Sequence, residues 1–108
     1  MASDNTEVKV LSNTEAHRFE AKVSGIQAFL QYSLSGNSIV FTHTEVPTEI
    51  EGRGIGSSLA KAGLDYARRH GLTVVPRCPF VEGYIRKHPE ELELVDPALR
   101  DEVFSDLS

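Results

Sequence analysis

Between residues 18 and 70 the hydrophobic period changes once, from two to 3.6, and the change falls at a cluster of glycines. Phe19, Ala21 and Val23 alternate with Arg18, Glu20 and Lys22, the period of a half-buried strand. After a short Ser24-Gly25 turn, Ile26, Ala28, Leu30, Tyr32 and Leu34 occupy one face of a second run. Ser35-Gly36-Asn37 then leads into a third strand from Ser38 to Val46. Three consecutive strands with tight connections form an antiparallel meander.

From Gly54 to His70 the pattern is helical. Ile55, Leu59, Ala62, Gly63 and Tyr66 share one stripe, flanked by Ala60 and Ala67, while Lys61, Asp65, Arg68 and Arg69 face water. Gly71 ends the helix, with Arg68, Arg69 and His70 at its negative dipole end. The short apolar run Leu72-Thr73-Val74-Val75 reads as a buried parallel strand. Strand three, helix and strand four thus make a right-handed βαβ unit. Pro79 to Lys87 forms a second helix, opened by Pro79 and closed before Pro89. Residues 90–104 add a helical turn or two, and residues 96–108 form an acidic tail expected to fray. The predicted fold is α/β (α+β), a mixed sheet in one domain across residues 1–108: an antiparallel meander, a βαβ unit and a C-terminal helix.

The composition narrows the partners. Forty per cent apolar residues in a 108-residue chain suit one core. No apolar run approaches the roughly 20 residues of a membrane helix, and Met1-Ala2-Ser3-Asp4-Asn5 has no signal-peptide character. A soluble, cytoplasmic protein is expected. The single cysteine, Cys78, cannot form an internal disulfide, and nothing clusters as a metal site. The net charge of −5 is unevenly placed: residues 1–88 carry ten Lys/Arg against nine Asp/Glu, whereas residues 89–108 carry one against seven. Arg53, Arg77, Arg86 and Lys87 therefore give a local cationic field near the glycines, but no basic stripe of the kind nucleic acid requires.

Glu51-Gly52-Arg53-Gly54-Ile55-Gly56-Ser57-Ser58 joins strand three to the helix. Glycines allow close backbone approach, and a helix start presents unpaired N–H groups and a positive dipole end. An anionic, phosphate-bearing ligand is the expectation. The turn is not a P-loop, since no lysine occurs between Lys22 and Lys61. Nor is it the dinucleotide fingerprint, because Ser57 stands where the third glycine is needed. The structural alternative is a tight turn at Gly52 and Gly54 with close helix packing at Gly56.

Ligand crevices of α/β sheets open at the carboxyl ends of parallel strands, where His43, Cys78 and this turn should converge. His43, predicted on the face of Ile39 and Phe41, is a candidate base, with Glu45 orienting it or replacing it; the alternative for both is packing or solvation. Cys78, beside Arg77 and a helix start, is a candidate nucleophile or a wall of the pocket. Tyr84 is a candidate proton donor to a leaving thiolate, or a core residue.

Three blocks, Thr42-His43-Thr44-Glu45-Val46-Pro47, Gly52-Arg53-Gly54-Ile55-Gly56, and Val75-Pro76-Arg77-Cys78-Pro79-Phe80 with Tyr84-Ile85-Arg86-Lys87-His88-Pro89, together resemble the small, minimal branch of the GNAT N-acetyltransferases. The resemblance spans roughly residues 8–95. It implies acetyl-CoA as cofactor and an amine of unknown identity as acceptor. The pyrophosphate would lie against the backbone amides around Arg53, Gly54, Ile55, Gly56, Ser57 and Ser58. The pantetheine arm would lie in a splay between strands three and four, with a backbone N–H polarising the thioester carbonyl and the amine deprotonated near His43. Direct transfer is the family's usual route, and Cys78 leaves an acetyl-cysteine intermediate open. Two departures stand out: Glu51 occupies the head of the family's Q/R-x-x-G-x-G/A motif, and helices that build the acceptor pocket in larger relatives are missing. The competing expectations are a non-catalytic acyl-CoA-binding module and a cysteine-dependent acyl carrier or thioesterase.

Overall fold

The computed structural model describes residues 9–105. The expectation of no leader at the N-terminus falls on residues 1–8, and the end of the acidic tail on 106–108; both lie outside the described residues. Five strands form one sheet in chain order: β1 (Val10–Asn13), β2 (Arg18–Val23), β3 (Ile26–Ser35), β4 (Ser38–Glu45) and β5 (Thr73–Pro76). The first four pair antiparallel and β5 pairs parallel to β4, giving the predicted mixed sheet. Strand β1 is an addition to that expectation. Its sequence Val-Leu-Ser-Asn does not alternate in burial, so period two carries no signal there.

One face of the sheet carries the core. Phe19, Ala21, Ala28, Leu30, Tyr32, Ile39 and Phe41 are buried there, beneath α1 (Ile55–His70), which contacts all five strands. The buried stripe of α1 is Ile55, Leu59, Ala60, Gly63, Leu64 and Ala67, rotated slightly from the predicted one so that Ala62 and Tyr66 lie at its margin. Gly71 caps α1 in the left-handed region (φ 66°), and its N–H bonds the carbonyl oxygens of Ala67 and Arg68. Helix α2 (Pro79–Lys87) packs beside α1 and buries Val81 and Ile85.

The C-terminal segment is more regular than its composition suggests. A 3₁₀ stretch covers Pro89–Leu94, Val95 makes a parallel bridge with Val74, and α3 (Arg100–Ser105) buries Val103 against α2. Polar ties hold it: Arg68 donates to the buried carboxylate of Glu91 at 2.9 Å, and Arg100 donates to the carbonyls of Val95 and Glu93. Of residues 96–108, expected to fray, those through Ser105 therefore include a buried apolar anchor.

Among the described residues no helix is long and apolar enough to cross a membrane, and no three His, Cys, Asp or Glu side chains group as metal ligands.

Candidate active site

The geometry of the site begins with a bulge. Tyr32 pairs with Phe41, but the next residue back along β3, Gln31, pairs with His43, so Thr42 is an extra residue in β4. Its hydroxyl donates to the Gln31 carbonyl at 3.2 Å. Side chains alternate strictly along a strand, so one inserted residue reverses the facing of all that follow. Thr44, opposite the buried Leu30, turns toward the helices. His43, opposite Gln31, and Glu45, opposite Phe29, turn to the other face.

This corrects the expectation that His43 shares the face of Ile39 and Phe41. It stands on the helix-free side, its side chain 57% exposed, with Nε2 3.3 Å from the Glu45 carboxylate and its ring 5.9 Å from that of Phe29. Arg18 covers Phe29 at 4.8 Å and is engaged by Glu20 at 2.6 Å, while Lys22 on the same face is exposed. The guanidinium of Arg18 holds the Glu20 carboxyl below the usual carboxylate range.

The bulge has a second consequence. The β4–β5 ladder ends at Phe41 and Pro76, while β4 continues to Glu45. Beyond that point the strands part, and a cleft of about 530 Å³ lies on the helix side, lined by Thr44, Val46, Glu51, Gly52, Gly54, Ile55, Gly56, Ser57 and Phe80.

Its closed end is the start of α1. Gly54 is the N-cap with φ 73°, and Gly52 has φ 83°, left-handed values that would strain any other residue. No side chain caps this helix, and the first intrahelical bond is Ser58 N–H to Gly54 at 3.0 Å. The amides of Ile55, Gly56 and Ser57 thus have no intrahelical acceptor, and the first turn carries no acid. Gly56 serves differently: a Cβ there would come within 2.5 Å of the Phe80 ring, so its lack of a side chain lets α2 approach α1 at the mouth of the cleft. The turn and its donors suit a pyrophosphate. Glu51 also lines the cleft and is exposed, so its carboxylate opposes that fit from one side.

Cys78 is the N-cap of α2 and only 2% exposed. Its sulfur lies 3.0 Å from the Thr44 hydroxyl, which stands between it and the cleft. Tyr84 lies elsewhere, in a neighbouring hollow, where it stacks on His88 at 4.1 Å. Its phenol is pushed above the ordinary tyrosine range, mainly by burial. The structure therefore brings the 54–57 turn into one cleft and places Cys78 behind its wall, His43 on the opposite sheet face and Tyr84 in the adjoining hollow. Arg53 and Ser58 flank the turn, exposed and half-buried respectively.

Thr44, Val46 and Phe80 line the cleft without having been singled out individually by sequence. For Phe80, which is 44% exposed, the only available signal was its place in the Val75–Phe80 block. Thr44 likewise stands in the Thr42–Pro47 block, but its facing was not readable because it depends on the bulge.

Residues 18–95 match the family described as GCN5-related N-acetyl-transferase. Protein NATD1 of Mus musculus is 33% identical over 95 residues, covering 83% of this chain and 86% of its own length. Protein NATD1 of Homo sapiens is also 33% identical, with 83% and 84% covered. A GCN5-like protein from Staphylococcus aureus, solved by NMR, shares the fold with a TM-score of 0.66 at 22% identity, over 84% of this chain and 90% of that one.

Proposed function

Because the chain belongs to the GCN5-related N-acetyltransferase family, we propose that it transfers an acetyl group from acetyl-CoA directly to an amine. The observation that carries this reading is the cleft itself. It begins at a helix start with three unengaged amides and ends where β4 parts from β5.

Acetyl-CoA, when bound, supplies an activated thioester. The amides of Ile55, Gly56 and Ser57, assisted by Arg53, bind its pyrophosphate through main-chain dipoles whose position is fixed by the backbone. Thr44 and Val46 orient the arm along β4. The main chain of β4 beyond Phe41 has lost its β5 partner and offers an N–H to polarise the thioester carbonyl.

The parting of the strands also supports a role for His43. An amine approaching from the helix-free face meets the His43–Glu45 pair before it reaches the gap. His43 takes the amine proton there and Glu45 orients the ring, and as the N–C bond forms the thioester C–S bond would break and the CoA sulfur leave as a thiolate protonated from solvent. Cys78 supports the cleft wall through Thr44, and Tyr84 takes no part in proton transfer.

Thermal shift of the purified protein with acetyl-CoA, CoA, ATP and NAD tests the cofactor. At about a hundredfold over Kd a ligand stabilises by ~2.7 kcal/mol, roughly ten degrees or more for a domain of this size. A shift with acetyl-CoA and CoA alone is expected. Equal shifts with ATP or NAD, or none with CoA, would remove this reading.

A further inference from the structure

The cleft is not the only hollow that touches the α1 start. A second, of about 220 Å³, is walled by Pro79, Phe80, Gly83, Tyr84, Lys87 and His88, and it shares Ser57 and Phe80 with the first. The Phe80 ring, held over Gly56, is the partition between them.

This hollow is built on the exposed flank of α2. Tyr84 and His88 stack with an interplanar angle of 19°, and the His88 ring is anchored because Nδ1–H donates to the Tyr84 carbonyl at 2.9 Å. That bond assigns the proton to Nδ1 and leaves Nε2 as the free ring nitrogen. Of the charges around Tyr84, Lys61 pairs with Asp65 at 3.1 Å and Glu91 with Arg68 at 2.9 Å, while Glu90 is exposed to solvent. Lys87 is also exposed and enters no ion pair among the described residues. The combination is an apolar and aromatic wall ending in one unpaired cation.

We propose that this hollow takes the nucleotide end of coenzyme A, with Tyr84, His88 and Phe80 against the adenosine and the Lys87 ammonium on the ribose 3′-phosphate. The inference rests on the acetyl-CoA reading of the cleft. With the pyrophosphate at Ile55–Ser57 and the acyl arm running toward Thr44, the nucleotide leaves the turn at its other end. Ser57 and Phe80 are the residues common to both hollows, and the surface beyond them leads to Lys87. A compact ammonium suits a phosphate monoester, whereas the aromatic wall is indifferent to it. Lys87 is therefore a specificity determinant that separates coenzyme A from its 3′-dephosphorylated form, and the acyl end is untouched by it.

Isothermal titration of the full chain with CoA and with dephospho-CoA at low ionic strength, where exposed charges are least screened, tests this. Wild type is expected to bind CoA about tenfold more tightly than dephospho-CoA, the effect of one charge-assisted contact. Lys87→Ala should weaken CoA by the same factor and leave dephospho-CoA unchanged, and Lys87→Arg should retain most of the preference. Equal wild-type affinities for the two ligands, or a Lys87→Ala loss shared by both, would overturn this proposal while leaving the cleft reading intact. Absence of CoA binding by wild type would overturn both. Lys87 is exposed, so an unchanged melting temperature of the free variant is expected to exclude misfolding as the cause.

Discussion

The Thr44 hydroxyl lies 3.0 Å from the Cys78 sulfur, joining β4 just past its bulge to the N-cap of α2. The thiol is thereby held behind the cleft rather than within it. Direct transfer needs Cys78 only as packing, whereas an acetyl-cysteine route needs its sulfur to reach the thioester.

Cys78→Ala is accordingly expected to retain turnover within about threefold of wild type, at a stability cost of about 1 kcal/mol from the lost contact. A hundredfold fall in kcat, with a quenched acetyl adduct on the wild-type thiol detected by mass spectrometry, would establish the covalent route instead.

For His43 the expected signature is a split. His43→Ala should lower kcat/KM by on the order of a hundredfold, the lower range of general-base catalysis, while the Kd for CoA stays unchanged because the residue is on the other face of the sheet. Wild-type turnover in this variant would take His43 out of the mechanism.

Gly56→Ala tests the close approach to Phe80. The added Cβ displaces the ring, which is 44% exposed, so stability should fall by roughly 1 kcal/mol, about four degrees in melting temperature. The displaced ring moves into one or other of the two hollows it separates, and the Kd for CoA should rise about tenfold or more. An unaltered Kd measured by titration would show that the cleft does not hold the cofactor at this point.

Glu51→Gln removes the carboxylate that lines the cleft. Tighter CoA binding by about threefold is expected at low salt, from relief of charge repulsion in solvent-exposed surroundings. At about 1 M salt the gain should vanish, because the screening length falls to about 3 Å. A gain that persists at high salt, or a loss at either ionic strength, would mean that the carboxylate acts other than by repulsion.

What sequence could disclose about this molecule follows from the range of each signal. The meander, the long helix and the 52–56 turn were legible because alternation, helical period and glycine are local properties of consecutive residues. β1 escaped because the edge strand Val10–Asn13 is four residues long and half-buries only Val10 against the core, with the exposed Ser12 next on that face, too few positions for a period to read. The facing of His43 was misread for a related reason. Period-two counting runs through Thr42 without detecting that it has no partner on β3, and pairing is a relation between strands. Likewise Val103, in an acidic stretch, is buried only because α2 and the chain after β5 leave a place for it.

Thr42 decouples the facing of β4 from its residue count. Loss of that one residue would keep every pairing from Ser38 to Phe41 and join Gln31 to its neighbour without an interruption. Past that point the pairings of His43 with Gln31 and of Thr44 with Leu30 would also stand, so the imidazole would still face away from α1 and the Thr44 hydroxyl toward the cleft. A single codon deletion at Thr42 thus leaves both sides of the sheet as they are and removes only the kink and the hydroxyl that bonds the Gln31 carbonyl.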